Sequence, residues 1–424
     1  MTRVLLAGQP GPAELTATRA LWRGGDACHL AWPRPAGGRS WSRSIRSWCS
    51  TRDPFSDPAG FVEDLTALVE RESFDVLVPY GLPAHHAVVH HGDALGTRVA
   101  TLRPSLASFR RASDKGATAA LCRELGIGTP ATWTPTTAAD VKVVAGSTRG
   151  PWVVKPRSGS ATGIRIVHEA VDLLDAWERE AERSARGAAE RFEAPLVQEL
   201  VPGHLHDACA LAVGGRPVAL TSQVREIMVP VYGGVGASVV TTDNPRVRAL
   251  AARVLEALEW TGPAQIEFRH DPRDDTYHLI EINPKFWGTL LASIRAGVDF
   301  PGLYRDAALG RIPPSPPRYR AGVRQRFDVP RLRTAALQLQ ALGQRLPPGL
   351  RGRHSYGELD RGDPVPDLLR HLRWWRERHA VRDEARALDG ALRGALPPIG
   401  LPWSGAHDGW VVAAAPTASG VSTR

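Results

Sequence analysis

Two short alternating runs near residue 270 constrain this chain more than any other feature. Ala264–His270 and Tyr277–Ile282 each alternate apolar and polar residues, and the turn-like Asp271-Pro-Arg-Asp-Asp275 lies between them, so they read as a pair of strands. The first carries Glu267 in Gln265-Ile-Glu-Phe268. The second carries Glu281 and Asn283 in Ile280-Glu-Ile-Asn-Pro284. Side chains two apart on a strand project from one face, so Glu281 and Asn283 share a face that Glu267 can join from the neighbouring strand. Two carboxylates and an amide oxygen are hard ligands of the kind that hold Mg²⁺ against phosphate. Singly, each is equally the outer polar residue of a half-buried sheet, and the metal reading rests on phosphate-binding features elsewhere.

Such features are present. Trp152-Val-Val-Lys155-Pro156 reads as a strand ending in a lysine, followed by the small-residue loop Arg157-Ser-Gly-Ser-Ala-Thr-Gly163. Backbone N–H groups of a loop with glycines at 159 and 163 can approach phosphate oxygens, and a lysine adds a point charge. Lys115 is a second candidate. The whole chain holds only Lys115, Lys142, Lys155 and Lys285, so a lysine kept amid so many arginines is informative.

The first hundred residues alternate as a parallel sheet with crossover helices: strands at Arg3–Ala7, Ala27–Trp32 and Phe74–Pro79, helices at Ala13–Trp22 and Phe61–Glu72. The turn Gly8-Gln-Pro-Gly11 lacks the G-x-G-x-x-G spacing, and no G-x-x-x-x-G-K-[ST] occurs, which disfavours dinucleotide-binding and P-loop readings. Pro104–Gly126 reads as one helix. His206–Val213 and Pro217–Val224 form a hairpin about Gly214-Gly215, and Arg246–Trp260 is helical. Beyond Pro313-Pro-Ser-Pro-Pro317 lie predicted helices at Arg331–Leu346 and Asp367–Leu392. A polar tail at 403–424 is expected to be disordered.

A composition of 43% apolar and 23% charged residues is that of a globular protein, and no run approaches the ~20 apolar residues of a membrane span. The N-terminus reads as a strand rather than a leader, and four scattered cysteines suggest a reducing cytoplasm. Residues 311–424 hold nineteen arginines against ten acids, the whole of the net +9. A solvated helical face explains this better than an anionic partner, and Trp374 and Trp375 are expected to pack on the core, so no nucleic-acid partner is predicted. His85, His86, His90 and His91 read as a polar helix face.

The ordered set Asp114-Lys115, Val-Val-Lys155-Pro with Ser158–Gly163, Gln198-Glu-Leu-Val-Pro-Gly203, Gln-Ile-Glu267-Phe and Glu281-Ile-Asn283-Pro resembles the ATP-grasp superfamily. Glu281-Ile-Asn-Pro-Lys-Phe-Trp-Gly288 resembles in particular its carbamoyl-phosphate-synthase-like carboxylate–amine ligases. The resemblance implies an α/β (α+β) fold: a parallel-sheet domain over 1–104, a two-lobed module over 105–194 and 195–312, and a helical basic extension over 313–402. It implies that Lys115 and Lys155 grip ATP phosphates beneath a lid of Ser158, Gly159 and Gly163. Gln198 would face the adenine amine, with the backbone of Glu199 and Val201 at the ring edge. Glu267, Glu281 and Asn283 would hold Mg²⁺ or Mn²⁺, and Arg225 and Lys285 would neutralise the substrate carboxylate and the moving phosphoryl group. The acid expected on the ribose is missing, since position 205 is leucine, and Asp207 is the nearest substitute. The activity implied is amide or peptide-bond formation through an acyl phosphate, on a small carboxylate and an amine, by a possible homodimer. The alternatives are a bicarbonate-using or carbamoyl-phosphate-forming enzyme and a nucleotide-binding protein without turnover.

Overall fold

Apolar residues on both faces of a strand demand cover on both sides, and the N-terminal strand has it. Val4 and Leu6 face one buried cluster, and Leu5 and Ala7 face another. β1 (Arg3–Gly8), β2 (Ala27–Trp32), β3 (Ser47–Ser50) and β4 (Val76–Tyr80) form a parallel sheet in the order β3-β2-β1-β4. Helices α1 (Pro12–Arg23), α2 (Pro58–Glu72) and α3 (Gly81–His91) connect and cover it. α2 starts where the Asp57 carboxylate accepts from the Gly60 N–H at 2.9 Å, with proline in its first turn. This computed structural model describes residues 1–8, 11–33, 41–159, 164–187, 194–229, 235–327, 355–357, 359–369 and 372.

The stretch expected as one helix is two. α4 (Leu106–Ser113) and α5 (Lys115–Leu125) are divided at Asp114, whose backbone is extended and whose Oδ1 accepts from the N–H groups of Gly116 and Ala117. An aspartate that offers the backbone a side-chain acceptor favours a cap over a helix interior. The break makes Lys115 the first residue of a new helix.

A small lobe follows: β5 (Thr132–Trp133), α6 (Ala138–Ser147), β6 (Trp152–Lys155), β7 (Arg165–Val167), α7 (Ala170–Gly187) and β8 (Leu196–Glu199). Its antiparallel sheet runs β5-β8-β6-β7 over a core that includes Val141, Trp152, Val154, Leu173, Trp177 and Val197. A boundary at 194/195 therefore falls too early, because β8 pairs with β6.

The large lobe is built on β9 (Leu205–Val213), β10 (Arg216–Val229), β11 (Val235–Thr242), α8 (Pro245–Ala257), β12 (Gly262–Asp271), β13 (Thr276–Asn283), α9 (Leu290–Arg295) and α10 (Phe300–Ala308). Its seven-stranded sheet runs β13-β12-β9-β10-β11 and continues into β14 (Arg324–Arg326) and β15 (Ser355–Tyr356). Leu211, Phe286, Trp287, Phe300 and Tyr304 share one buried cluster with Val4, Leu6 and Cys28, so the large lobe and the N-terminal domain have a common core. Each large apolar side chain placed there contributes about 2 kcal/mol.

The C-terminal extension supplies these last two strands, of which β15 is the edge, in its described part; Gly163, the helix expected at 331–346, Trp374, Trp375 and the tail lie outside the described residues. After β15 the chain returns to the N-terminal domain. Buried Asp363 accepts from Arg19 Nε at 2.8 Å and from the Arg43 N–H at 3.1 Å, and also from the Ser42 hydroxyl. Arg19 reaches Asp367 at 3.1 Å, and Arg23 reaches Asp360. All four cysteines are free thiols, and among the described residues no helix is long and apolar enough to cross a membrane. Removing one partner of a buried ion pair strands the other, so Asp363→Ala should cost about 3 kcal/mol. A urea midpoint equal to that of the unaltered protein would show that this clasp contributes nothing.

Candidate active site

Strand register brings the expected metal ligands together. β12 and β13 pair Glu267 with Glu281 and Gln265 with Asn283, and β12 and β9 pair Glu267 with Asp207. Asp207, Glu267 and Glu281 thus stand side by side across three strands on one face. Asn283 Nδ2 donates to Glu267 Oε1 at 2.9 Å and to Glu281 Oε1 at 3.2 Å. Rotated half a turn, the same amide presents its oxygen, which completes a hard donor set suited to Mg²⁺ or Mn²⁺. Asp271, Asp274 and His278 form another tight polar group in the β12–β13 turn. Its oxygens already accept from Arg273 and Thr276.

Two lysines, on α5 and β6, close on this row. Lys115, at the start of α5, sets Nζ 3.3 Å from Glu281 Oε2 and 3.0 Å from the Gly159 carbonyl. Lys155, at the end of β6, points Nζ at the Ile280 carbonyl, 3.5 Å away. Both lysines are buried. Burial pushes the Lys155 ammonium down to about 8, with Glu281 opposing and Lys115 adding to the fall. Burial alone would raise Glu281, but Lys115, Lys155 and Arg225 outweigh it and hold that carboxyl low. Glu267 moves the other way: burial raises it, and Glu281 and Asp207 raise it further against the pull of Arg225.

The phosphate loop is anchored at its start. Arg157 pairs with Asp114, and the Lys115 N–H donates to the Arg157 carbonyl at 3.0 Å. Ser158 and Gly159 lie here, and Gly159 has φ +89, which glycine adopts without strain. Gln198, buried on β8, donates from Nε2 to Thr132 Oγ1 at 2.8 Å. The Glu199 N–H donates to the Ala131 carbonyl, and Val201 is buried. Gly203 has φ +95, and a Cβ there would lie 1.9 Å from the His270 carbonyl oxygen, so no other residue fits.

Arg225 and Lys285 are placed differently from each other. Arg225, on β10, bridges Asp207 and Glu267. Lys285 is half-buried just past Asn283, on a loop fixed by buried Phe286 and Trp287. The expectation that Asp207 meets a ribose has no support in this geometry. It is fully buried, its Oδ1 and Oδ2 accept from Arg225 at 2.8 and 3.2 Å, and Oδ2 also accepts from Gln223 at 2.8 Å. The roles of Gln223, Thr132 and the Asp114–Arg157 pair were missed in the sequence. In the histidine group, His85 is buried against the Gly81 carbonyl at 2.9 Å, and burial lowers it to about 4; the rings of His86 and His90 stack.

Comparisons place these features among known proteins. Residues 192–333 match a family model described as ATP-grasp in the biosynthetic pathway with Ter operon. Over 229 residues the chain is 25% identical to the carbamoyl phosphate synthase large chain of Thermomicrobium roseum, covering 52% of this chain and 20% of that one. The chain thus spans about a fifth of that curated relative. The biotin carboxylase domain of Hydrogenobacter thermophilus 2-oxoglutarate carboxylase, solved with MgADP and bicarbonate, superposes with a TM-score of 0.63 at 15% identity, over 76% of this chain and 73% of that one. An L-amino acid ligase from Bacillus licheniformis gives 0.55 at 16% identity, over 74% and 78%.

If Glu267, Glu281 and Asn283 hold a divalent ion, Mn²⁺ should bind with its affinity lowered at least tenfold in Glu281→Gln. Unchanged water-proton relaxation titrations in that variant would refute the ligand set.

Proposed function

We propose that this chain, which has the ATP-grasp fold, is an ATP- and Mg²⁺-dependent carboxylate–amine ligase that works through an acyl phosphate and releases ADP. The observation that carries this reading is the convergence of Lys115, on α5, and Lys155, of the small lobe, on Glu281 beside Glu267 and Asn283. Basic groups that lean on an acidic row suit a ligand that is itself polyanionic and carries a divalent ion.

The chemistry follows from these groups. A carboxylate is a poor electrophile until one of its oxygens is phosphorylated. In the first step a substrate carboxylate oxygen attacks the γ-phosphorus, the bond to the β–γ bridging oxygen breaks, and ADP leaves. In the second step the amine attacks the acyl carbon, phosphate leaves and the nitrogen loses a proton. Lys115 and Lys155 hold the phosphates, Gln198 reads the adenine edge with the backbone of Glu199 and Val201, and Arg225 and Lys285 balance charge on the carboxylate and the transferring group. Mg²⁺ at Glu267, Glu281 and Asn283 would supply Lewis-acid neutralisation of the phosphate oxygens. The loop from Ser158 through Gly163 would shield the intermediate from water. The substrates in this reading are small molecules, the compartment is the cytoplasm, and the assembly is a homodimer like the domain dimer described for the H. thermophilus carboxylase.

With amino acids and other small carboxylates supplied, the protein should convert ATP to ADP and phosphate, and hydroxylamine should capture the acyl group as a hydroxamate. AMP as the product would exclude this mechanism, and turnover that requires bicarbonate without any organic hydroxamate would favour the carbamoyl-phosphate-forming alternative. Lys155 is a cation only below its depressed value of about 8, so Mg·ADP affinity should fall as pH rises through 8. In Lys155→Gln that pH dependence should vanish, and calorimetry at pH 7 and 9.5 would reveal its persistence.

A further inference from the structure

We propose that Asp207 is a positioning residue that aims Arg225 at the transferring phosphoryl group, and that the Gln223–Thr289 pair ties this aim to the loop behind Asn283. The proposal rests on the ligase reading above, because the phosphoryl group is what Arg225 would meet.

Asp207 sits near the start of β9, fully buried between Gln223 on β10 and Glu267 on β12. Both its oxygens are committed. Arg225 approaches with Nε 3.2 Å from Oδ2 and Nη2 2.8 Å from Oδ1, the forked two-point contact that fixes a guanidinium in its plane. Gln223 Nε2 donates to Oδ2 at 2.8 Å and to Thr289 Oγ1 at 2.6 Å. Thr289 directly follows Lys285-Phe-Trp-Gly288 and precedes α9. The same guanidinium also reaches Glu267, one of the three proposed metal ligands.

This arrangement gives Arg225 one fixed partner and one exchangeable one. A divalent ion competes for Glu267, and binding it frees one side of the guanidinium. Asp207 cannot leave, since it is locked in the sheet and held by Gln223. It therefore keeps the guanidinium at the metal edge while that side turns to the phosphoryl oxygens. A charged partner that is already oriented costs no reorganisation when charge develops. Asp207→Asn would leave the fold's shape but replace the fork with a weaker neutral contact, and the guanidinium freed by the metal would no longer be held toward the phosphoryl oxygens.

The test uses Mg·ADP with aluminium fluoride, a mimic of the transferring phosphoryl group, and calorimetry. The unaltered protein should bind Mg·ADP more tightly in aluminium fluoride. Asp207→Asn should bind Mg·ADP within about twofold of the unaltered protein yet lose the aluminium-fluoride gain by 10- to 100-fold. Arg225→Gln should show the same loss, and the double variant should be no worse than either single one. Losses that multiply in the double variant would overturn the proposal, and so would weakened binding of Mg·ADP itself together with discrimination against 2′-deoxy- or 3′-deoxy-ADP, which would restore the ribose role. A merely structural role would lower the melting temperature of Asp207→Asn and leave the gain intact. Should Asp207→Asn fail to fold, Gln223→Leu removes one support only and should lose part of the gain; full retention there refutes the link. Absence of any gain in the unaltered protein counts against phosphoryl transfer, whereas a gain that Asp207→Asn keeps counts against this inference alone.

Discussion

Three carboxylates in adjacent strands on one buried sheet face repel each other. Two unit charges 5 Å apart at an effective dielectric of 20 interact by about 3 kcal/mol, before any desolvation. Asp207, Glu267 and Glu281 are tolerated together because cations meet each of them. Arg225 spans the first two, and Lys115 meets the third from α5, with Lys155 of the small lobe beside it. The row would be costly to keep without these cations, and the lysines would be costly to bury without the row.

How far the sequence revealed this depends on the range of the interaction. Glu281 and Asn283 were legible because strand periodicity alone puts them on one face. Glu267 required only that the two runs pair, which their short intervening turn makes natural. Asp207 shows where counting fails. From the turn at Gly214-Gly215, Val213 pairs with Arg216, and simple counting would set Asp207 opposite Ser222. A bulge between Pro217 and Ala219 shifts the register by one, so Asp207 faces Gln223 instead. A slip of one residue reverses which side chains share a face, and with it the role of the aspartate. Pro217, which has no N–H to give the ladder, is the local signal that could have marked the bulge.

Other gaps have equally specific causes. Asp114 was hidden inside a periodic apolar pattern, although an aspartate followed by Lys-Gly is a plausible cap; the periodicity of α4 and α5 runs on across the break because the two helices share one buried surface through Phe109, Leu121 and Cys122. β8 looked like the start of the large lobe because it follows a long helix, but its partner β6 lies some forty residues upstream. The clasp between Arg19 and Asp363 joins residues 344 apart, and nothing local in either segment points to it. Asp360, Asp363 and Asp367 turn inward to Arg23 and Arg19, so these three acids of the C-terminal quarter pair with arginines of the N-terminal domain.

The distribution of apolar contacts assigns different mechanical roles to the three parts. The N-terminal sheet and the large lobe share a continuous cluster running from Val4 and Leu6 through Leu211 to Trp287 and Tyr304, with the Tyr304 hydroxyl donating to the Leu77 carbonyl at 3.2 Å. The extension reinforces that union twice. Gln325 accepts from the Ala292 N–H at 3.0 Å, which holds α9, and β15 leads the chain back to Arg19. The small lobe, in contrast, encloses its own cluster of Trp152, Val154, Leu173, Trp177 and Val197, and it meets the acidic row through Lys155. Buried apolar area sets the cost of separating elements, and the loop carrying Lys285 is packed by Phe286 and Trp287 into the shared core. The loop is thereby bound to the N-terminal domain and the large lobe, apart from the cluster that the small lobe encloses for itself.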